Sequence, residues 1–151
     1  MKQIFFTLTI AVSLLALASC CQKKGCTGAD DINQIELYSF KANEVDSIIF
    51  ESYTKESNFG VRVDSSFLSA HPATSADTTY ILLMPKNLDN KLSYRIKMLS
   101  INKIYKLKNF SIISEVCNSR NYQPQTDNYN VLESYVVNDS TQLGNALRIK
   151  K

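Results

Sequence analysis

The amino-acid sequence predicts an all-β domain, an antiparallel β-sandwich, and three observations carry that expectation. Short stretches rich in Ile, Val, Tyr and Phe recur along the chain. Asn, Asp, Ser, Gly and Pro separate them at intervals of about ten residues. No window of helical length keeps an apolar face at three-and-four spacing. The candidate strands are Gln34 to Phe40, Ser47 to Tyr53, Val61 to Phe67, Thr79 to Met84, Leu92 to Leu99, Lys103 to Lys108, Phe110 to Val116, Val131 to Val137 and Ala146 to Lys150.

Turn chemistry orders several of these. Pro85 has no N–H to offer a ladder and stops the strand ending at Met84, while Asn87, Asp89 and Asn90 tolerate left-handed backbone. Thr79 to Leu99 is therefore expected to be a hairpin. Asn102 is expected to turn the chain again, pairing Tyr94 to Leu99 with Lys103 to Leu107 as a meander. Within Leu92 to Leu99, alternation puts Tyr94, Ile96 and Met98 on one face and Arg95 and Lys97 on the other. One face is buried and one is wet, as in an antiparallel sandwich. Ser69 to Thr78 and Asn118 to Asn130 read as long surface loops.

The first residues have a different character. Lys2 is followed by an apolar run of 14 residues, Ile4 to Leu17, interrupted by Thr7, Thr9 and Ser13. A membrane span needs roughly 20 residues, whereas the apolar core of a secretory signal takes about 7 to 15. The run ends in Leu17-Ala18-Ser19-Cys20, which resembles the lipobox of bacterial lipoproteins. Small residues let the peptidase reach the backbone, and a thiolate is the nucleophile that lipid transfer requires. Residues 1–19 are thus expected to be a lipoprotein signal peptide and Cys20 the lipidated first residue of the mature chain. At least two acyl chains would then hold it, enough for stable anchoring. Cys21 to Asp31 lacks apolar periodicity and reads as a flexible tether, so residues 20–31 are assigned to it and residues 32–151 to the sandwich.

The lipobox, the richness in Tyr and Asn, and phrases such as Tyr94-Arg95-Ile96 and Ser134-Tyr135-Val136-Val137-Asn138 resemble small lipoproteins of the Bacteroidetes. That resemblance implies an immunoglobulin-like or transthyretin-like sandwich and a place in the cell envelope, with the outer membrane favoured. It implies no activity. Surface-exposed members carry acids directly after the lipid cysteine, and this chain carries Gln22-Lys23-Lys24 there.

Removal of residues 1–19 takes one lysine from 17 basic residues and leaves 16 against 14 acids, a balance of +2. So small an excess gives no reason to expect nucleic acid as partner. Cysteines stand at positions 20, 21, 26 and 117. With Cys20 lipidated, Cys117 can pair with Cys21 or Cys26; Cys26 is favoured because Cys21 would lie against the bilayer. Closing that loop of about 90 residues would add roughly 4 kcal/mol in the chain-entropy model.

Chemistry is sparse. His71 is the lone histidine, beside Pro72 in a polar loop, and a single imidazole does not make a zinc site. The chain has neither a Gly-x-Ser-x-Gly elbow nor a glycine-rich phosphate loop, and no cofactor is expected. Glu51, Asp64, Glu115 and Glu133 lie in candidate strands and could form the paired carboxylates of a glycosidase, although a sandwich this small leaves little room for a cleft. Tyr122 and Tyr129 are candidate glycan-contacting rings, and Tyr94 to Phe110 interleaves Arg95, Lys97, Lys103, Lys106 and Lys108 with aromatics in a strip that could hold a polyanion. The expected function is a non-enzymatic accessory or binding module, tethered to a membrane and serving an envelope protein or glycan partner; the alternative is an exported glycan-binding or glycan-acting protein. The cysteine arrangement makes one prediction. Alkylation of the mature protein should block one thiol before reduction and three after it, and Cys117→Ser should raise the unreduced value to two.

Overall fold

Along residues 28–74, 78–116 and 128–151, which the computed structural model describes, the apolar runs become ten strands with short 3-10 turns between them. Two sheets result. In the first, β1 (Gln34–Tyr38) lies parallel to β10 (Leu147–Lys150) and antiparallel to β5 (Thr79–Leu83), whose far side takes the two-residue β4 (His71–Pro72). The second has six strands in the order β3 (Arg62–Leu68), β2 (Ile48–Thr54), β6 (Leu92–Met98), β7 (Lys103–Val116), β8 (Asn128–Val137) and β9 (Ser140–Leu143). Contacts of Lys106 with Asn138, Ser111 with Glu133 and Glu115 with Tyr129 show β7 and β8 running in opposite directions.

The sheets pack face to face, forming the sandwich that alternation predicts. Ile35 lies between Leu82 and Leu147, and Leu37 opposite Ile149, so one apolar plate is built across three strands. Facing it are Ile48 and Phe50 of β2, Tyr94, Ile96 and Met98 of β6, Tyr105, Leu107 and Phe110 of β7, and Leu132 and Tyr135 of β8. All of these are buried. Four rings form a continuous row across that inner face. Phe50 stacks on Tyr94 at 5.4 Å, Tyr94 meets Phe110 edge-on at 5.8 Å, and Phe110 stacks on Tyr135 at 6.3 Å. Each such pair adds roughly 0.5–1.5 kcal/mol beyond the area it buries.

Both tyrosines of the row tie the sheet to what lies across from it. The Tyr135 hydroxyl accepts the Arg148 N–H of β10 at 2.6 Å and donates to the Arg148 carbonyl at 3.3 Å, bridging the two sheets. Tyr94 does the same for residue 89, accepting its N–H at 2.8 Å and donating to its carbonyl at 3.3 Å.

Several expectations are corrected. Thr79 to Leu99 is not a hairpin: β5 has β1 and β4 on its two edges, β6 has β2 and β7, and neither has an edge left for the other. Pro85 does end β5, but the turn residues beyond it carry the chain from the first sheet to the second. This crossover is held by backbone bonds from Met84 to Asn33 and from Leu88 to Ile32, both 2.7 Å, and by the Asn87 amide donating to the Asp30 carbonyl at 2.8 Å. Asn102 turns the chain as expected, at φ 50°, and Tyr94 pairs with Leu107 in the meander. Asn109 does not break β7. Its left-handed φ of 55° sits inside the strand as in a β-bulge, shifting the phase so that Phe110 follows Leu107 into the core.

Strand β9 was not expected. A two-residue turn joins it to β8, with Asn138 and Asp139 at φ 46° and 67°, the geometry that matches sheet twist. Residues 128–130, read as loop, belong to β8, and His71 and Pro72 pair with Ile81 and Tyr80. Ala29–Asp31, read as tether, form a 3-10 turn with Ala29 buried and the Asp30 carboxylate accepting the Asn130 amide at 2.9 Å.

Phe110→Ala should remove the middle of the ring row and destabilise the protein by roughly 3–5 kcal/mol in denaturant unfolding. Tyr135→Phe keeps the ring but strands the Arg148 N–H, and should cost about 1–3 kcal/mol. Tyr129→Phe should fall within about 0.5 kcal/mol of the native chain.

Candidate functional site

Alternation along β2 points Ile48, Phe50 and Ser52 at the core and turns Ile49, Glu51 and Tyr53 outward. That outward face should be wet, yet Glu51 and Tyr53 are each only 2% exposed. Side chains bonded to Glu51 enclose it, and Tyr53 is covered by the connection to β3. That connection turns through Asn58 and Phe59, at φ 44° and 68°, and lays the Phe59 ring edge-on against Tyr53 at 5.5 Å. A left-handed phenylalanine costs of order 1–3 kcal/mol, and this one is held by its contacts on both sides. Beyond Tyr53, the Lys106 ammonium of β7 sits 5.4 Å from the Phe59 ring.

Strand register gathers cations about Glu51. Arg95 lies directly across on β6, Lys97 is opposite Ile49, and Arg62 is opposite Tyr53. The Arg95 Nε donates to Oε2 at 2.8 Å, the Tyr53 hydroxyl to Oε2 at 2.9 Å, and Arg62 Nη1 and Lys97 Nζ each to Oε1 at 3.2 Å. The Arg95 guanidinium also lies over the Tyr53 ring, 4.5 Å from its centre. Burial opposes ionisation of Glu51, but the hydrogen bonds from Lys97, Arg95 and Arg62 outweigh it and hold the carboxyl below its ordinary value. It is an ionised acceptor with four donors on it, and has no proton to give.

Three cations around one carboxylate leave this face an excess of two positive charges, and Lys106 makes it three. Arg62 is more than half exposed, so the excess reaches water. The face attracts anions and raises their encounter rate.

A cleft is also present. A cavity of about 280 Å³ lies between the inner side of β2 and β3 and the crossover, with Phe50, Ser52 and Tyr94 at its floor. Asp64 and Asp89 line it from opposite walls, with Lys86 placing its ammonium 3.6 Å from the Asp64 carboxylate.

The residues singled out in the sequence are dispersed. Tyr129 is half-buried on β8, its hydroxyl 3.4 Å from Glu115, and Glu133 accepts from Ser111 at 2.9 Å. Glu51, Glu115 and Glu133 each have such a partner of their own. His71 is exposed on β4. Cys20, Cys21, Cys26, Cys117 and Tyr122 lie outside the described residues. The basic strip divides by alternation: Tyr94, Tyr105 and Phe110 enter the core while Arg95, Lys97 and Lys106 stay on the outer face, and Lys108 pairs with Asp139 at 2.8 Å. The rings that do accompany the cations are Tyr53 and Phe59. The signal for Tyr53 was β2 itself, where Ile49, Glu51 and Tyr53 put large side chains on the face opposite Ile48 and Phe50; Phe59 lies beyond the strand.

Comparison of the chain with protein-family models, with curated proteins and with solved structures gives no match. The class of protein is therefore defined by the fold and the two surfaces alone: a two-sheet sandwich with a cationic outer face and a cleft behind it.

Glu51→Gln should destabilise the chain by roughly 1–3 kcal/mol at neutral pH, below the 3–5 kcal/mol of a fully enclosed pair because its cations reach water. Since folding lowers the Glu51 pKa, its contribution is complete above the ordinary carboxylate range and is lost as pH falls through the folded value. Native protein should therefore lose more stability between pH 7 and pH 3 than the Glu51→Gln variant does.

Proposed function

We propose that the chain is a lipid-anchored protein of the bacterial cell envelope that acts as a non-enzymatic binding module, its sandwich held to a membrane through Cys20. The signal-like run and the Leu17-Ala18-Ser19-Cys20 sequence support the anchor. The resemblance to small Bacteroidetes lipoproteins with immunoglobulin-like or transthyretin-like domains fits the same reading, and export would permit the proposed Cys26–Cys117 bridge.

The observation that carries the binding role is the saturated Glu51 carboxylate. Four donors fix it in its ionised form, so it positions cations and does not exchange protons. A surface of fixed charges with ordered aromatic neighbours recognises a partner. A glycan-acting enzyme has less support, since it needs one carboxyl kept protonated beside an ionised one. The partner in this reading is an envelope protein or a glycan, and not nucleic acid.

Radiolabelled palmitate supplied to cells should enter the native chain and be absent from Cys20→Ala, which should leave the membrane fraction. Incorporation that persists in Cys20→Ala, or none in the native chain, overturns the anchor.

A further inference from the structure

We infer that the cavity between β2, β3 and the crossover is a binding site for one neutral sugar ring, such as the end residue of a glycan. The inference rests on the binding-module reading but is independent of the lipid anchor. Its starting point is Ser52. This residue is 7% exposed, faces inward between Phe50 and the edge strand, and lines the cavity. Among the described residues its hydroxyl makes no hydrogen bond to the protein. Among the described residues every wholly enclosed side-chain polar atom has a partner, so the Ser52 hydroxyl is one that the open cavity leaves within reach of solvent. Water can bond it there, and a ligand hydroxyl would take the water's place.

The rest of the lining sets the ligand's chemistry. Phe50, Tyr94 and Leu92 present an apolar wall. Beside it on β3 stand Ser66 and Asp64, the cross-strand partners of Phe50 and Ser52, and the crossover adds the Asn87 amide. One Asn87 N–H is committed to the Asp30 carbonyl at 2.8 Å, which leaves the amide its oxygen and a second N–H. The polar side thus offers both donors and acceptors, with serine hydroxyls that give or take and an Asp64 carboxylate that already accepts the Ser65 N–H at 2.8 Å. A pyranose has the matching form, one face of C–H groups and a rim of hydroxyls. A purely apolar guest would leave Ser52 unpaired, at a cost of about 1–3 kcal/mol.

Charge narrows the class further. Asp64 and Asp89 against Lys86 leave the cavity an excess of one negative charge, so an anionic guest is disfavoured where the outer face would attract it. The volume of about 280 Å³ is just under the roughly 300 Å³ at which sites for drug-sized ligands begin, room for one ring and not a chain. The walls are preformed. Tyr94 braces Asp89 through two hydrogen bonds, and the Asp89 carboxylate takes the Lys91 N–H at 2.9 Å, so the crossover is held without a ligand.

The test uses detergent-extracted full-length protein and saturation-transfer NMR with glucose, galactose, mannose, N-acetylglucosamine and their methyl glycosides, each to roughly 10 mM. Glucuronate and spermidine serve as anionic and cationic probes. At least one neutral sugar should bind saturably. Asp64→Asn, which keeps the volume and removes the charged acceptor, should weaken it about 10- to 100-fold. Ser52→Leu, filling the floor, should abolish it, and Ser52→Ala should weaken it while keeping the native melting temperature closely enough to show the fold intact. Binding unchanged in both Ser52 variants, binding of glucuronate or spermidine alone, or no binding of any neutral sugar overturns the proposal. None of these results bears on palmitate incorporation, so the anchor stands or falls separately.

Discussion

The row Phe50, Tyr94, Phe110 and Tyr135 crosses four neighbouring strands of the larger sheet and is the element on which the rest of the molecule depends. Its rings make up much of one side of the core, and its two hydroxyls reach out of that core to fix what lies beyond. Through Tyr135 the last strand of the smaller sheet is pinned to the larger one, and through Tyr94 the crossover is pinned above the cavity. Interiors are packed like organic crystals, so a shift of one ring is passed to the next. The spacing of the sheets and the shape of the cleft therefore share one cause.

The larger sheet carries opposite electrostatics on its two sides. Outside, Glu51 gathers Arg62, Arg95 and Lys97 and leaves a positive excess; inside, at the open edge near β3, Asp64 and Asp89 leave a negative one. Burying the Glu51 carboxylate is costly, and four donors offset the loss of water. The cations are held in place yet still solvated, which lets the surface be ordered and charged at once. A partner that meets the outer face need not compete with a small guest in the cleft, because the anions that the outer face attracts are disfavoured by the cleft's negative excess.

Part of this was legible along the chain. Strand β6 and its turn at Asn102 are local matters: alternation decides which side chains are apolar, and an asparagine that tolerates positive φ decides where the chain reverses. The break expected at Asn109 failed on the same ground, since a left-handed residue can sit within a strand whose partners continue on both sides. The Thr79–Leu99 hairpin failed for a different reason. Turn residues specify that a chain changes direction and are silent on which sheet receives it; that choice fell to β1 and β4, which had already occupied both edges of β5. The Glu51 cluster joins residues 44 and 46 positions apart in sequence and depends on cross-strand register, which no window of residues contains.

What the sequence determined by itself is the periodic part: an all-β sandwich and the sidedness of its strands. Each follows from neighbours within about ten residues, where alternation and turn chemistry operate. Tertiary structure alone decided that cations from β3 and β6 would enclose Glu51, that Phe59 would lie against Tyr53, and that one crossover would flank a cleft with a serine open to it. These depend on which strands lie side by side, and that is set by the packing of two whole sheets across a shared apolar core.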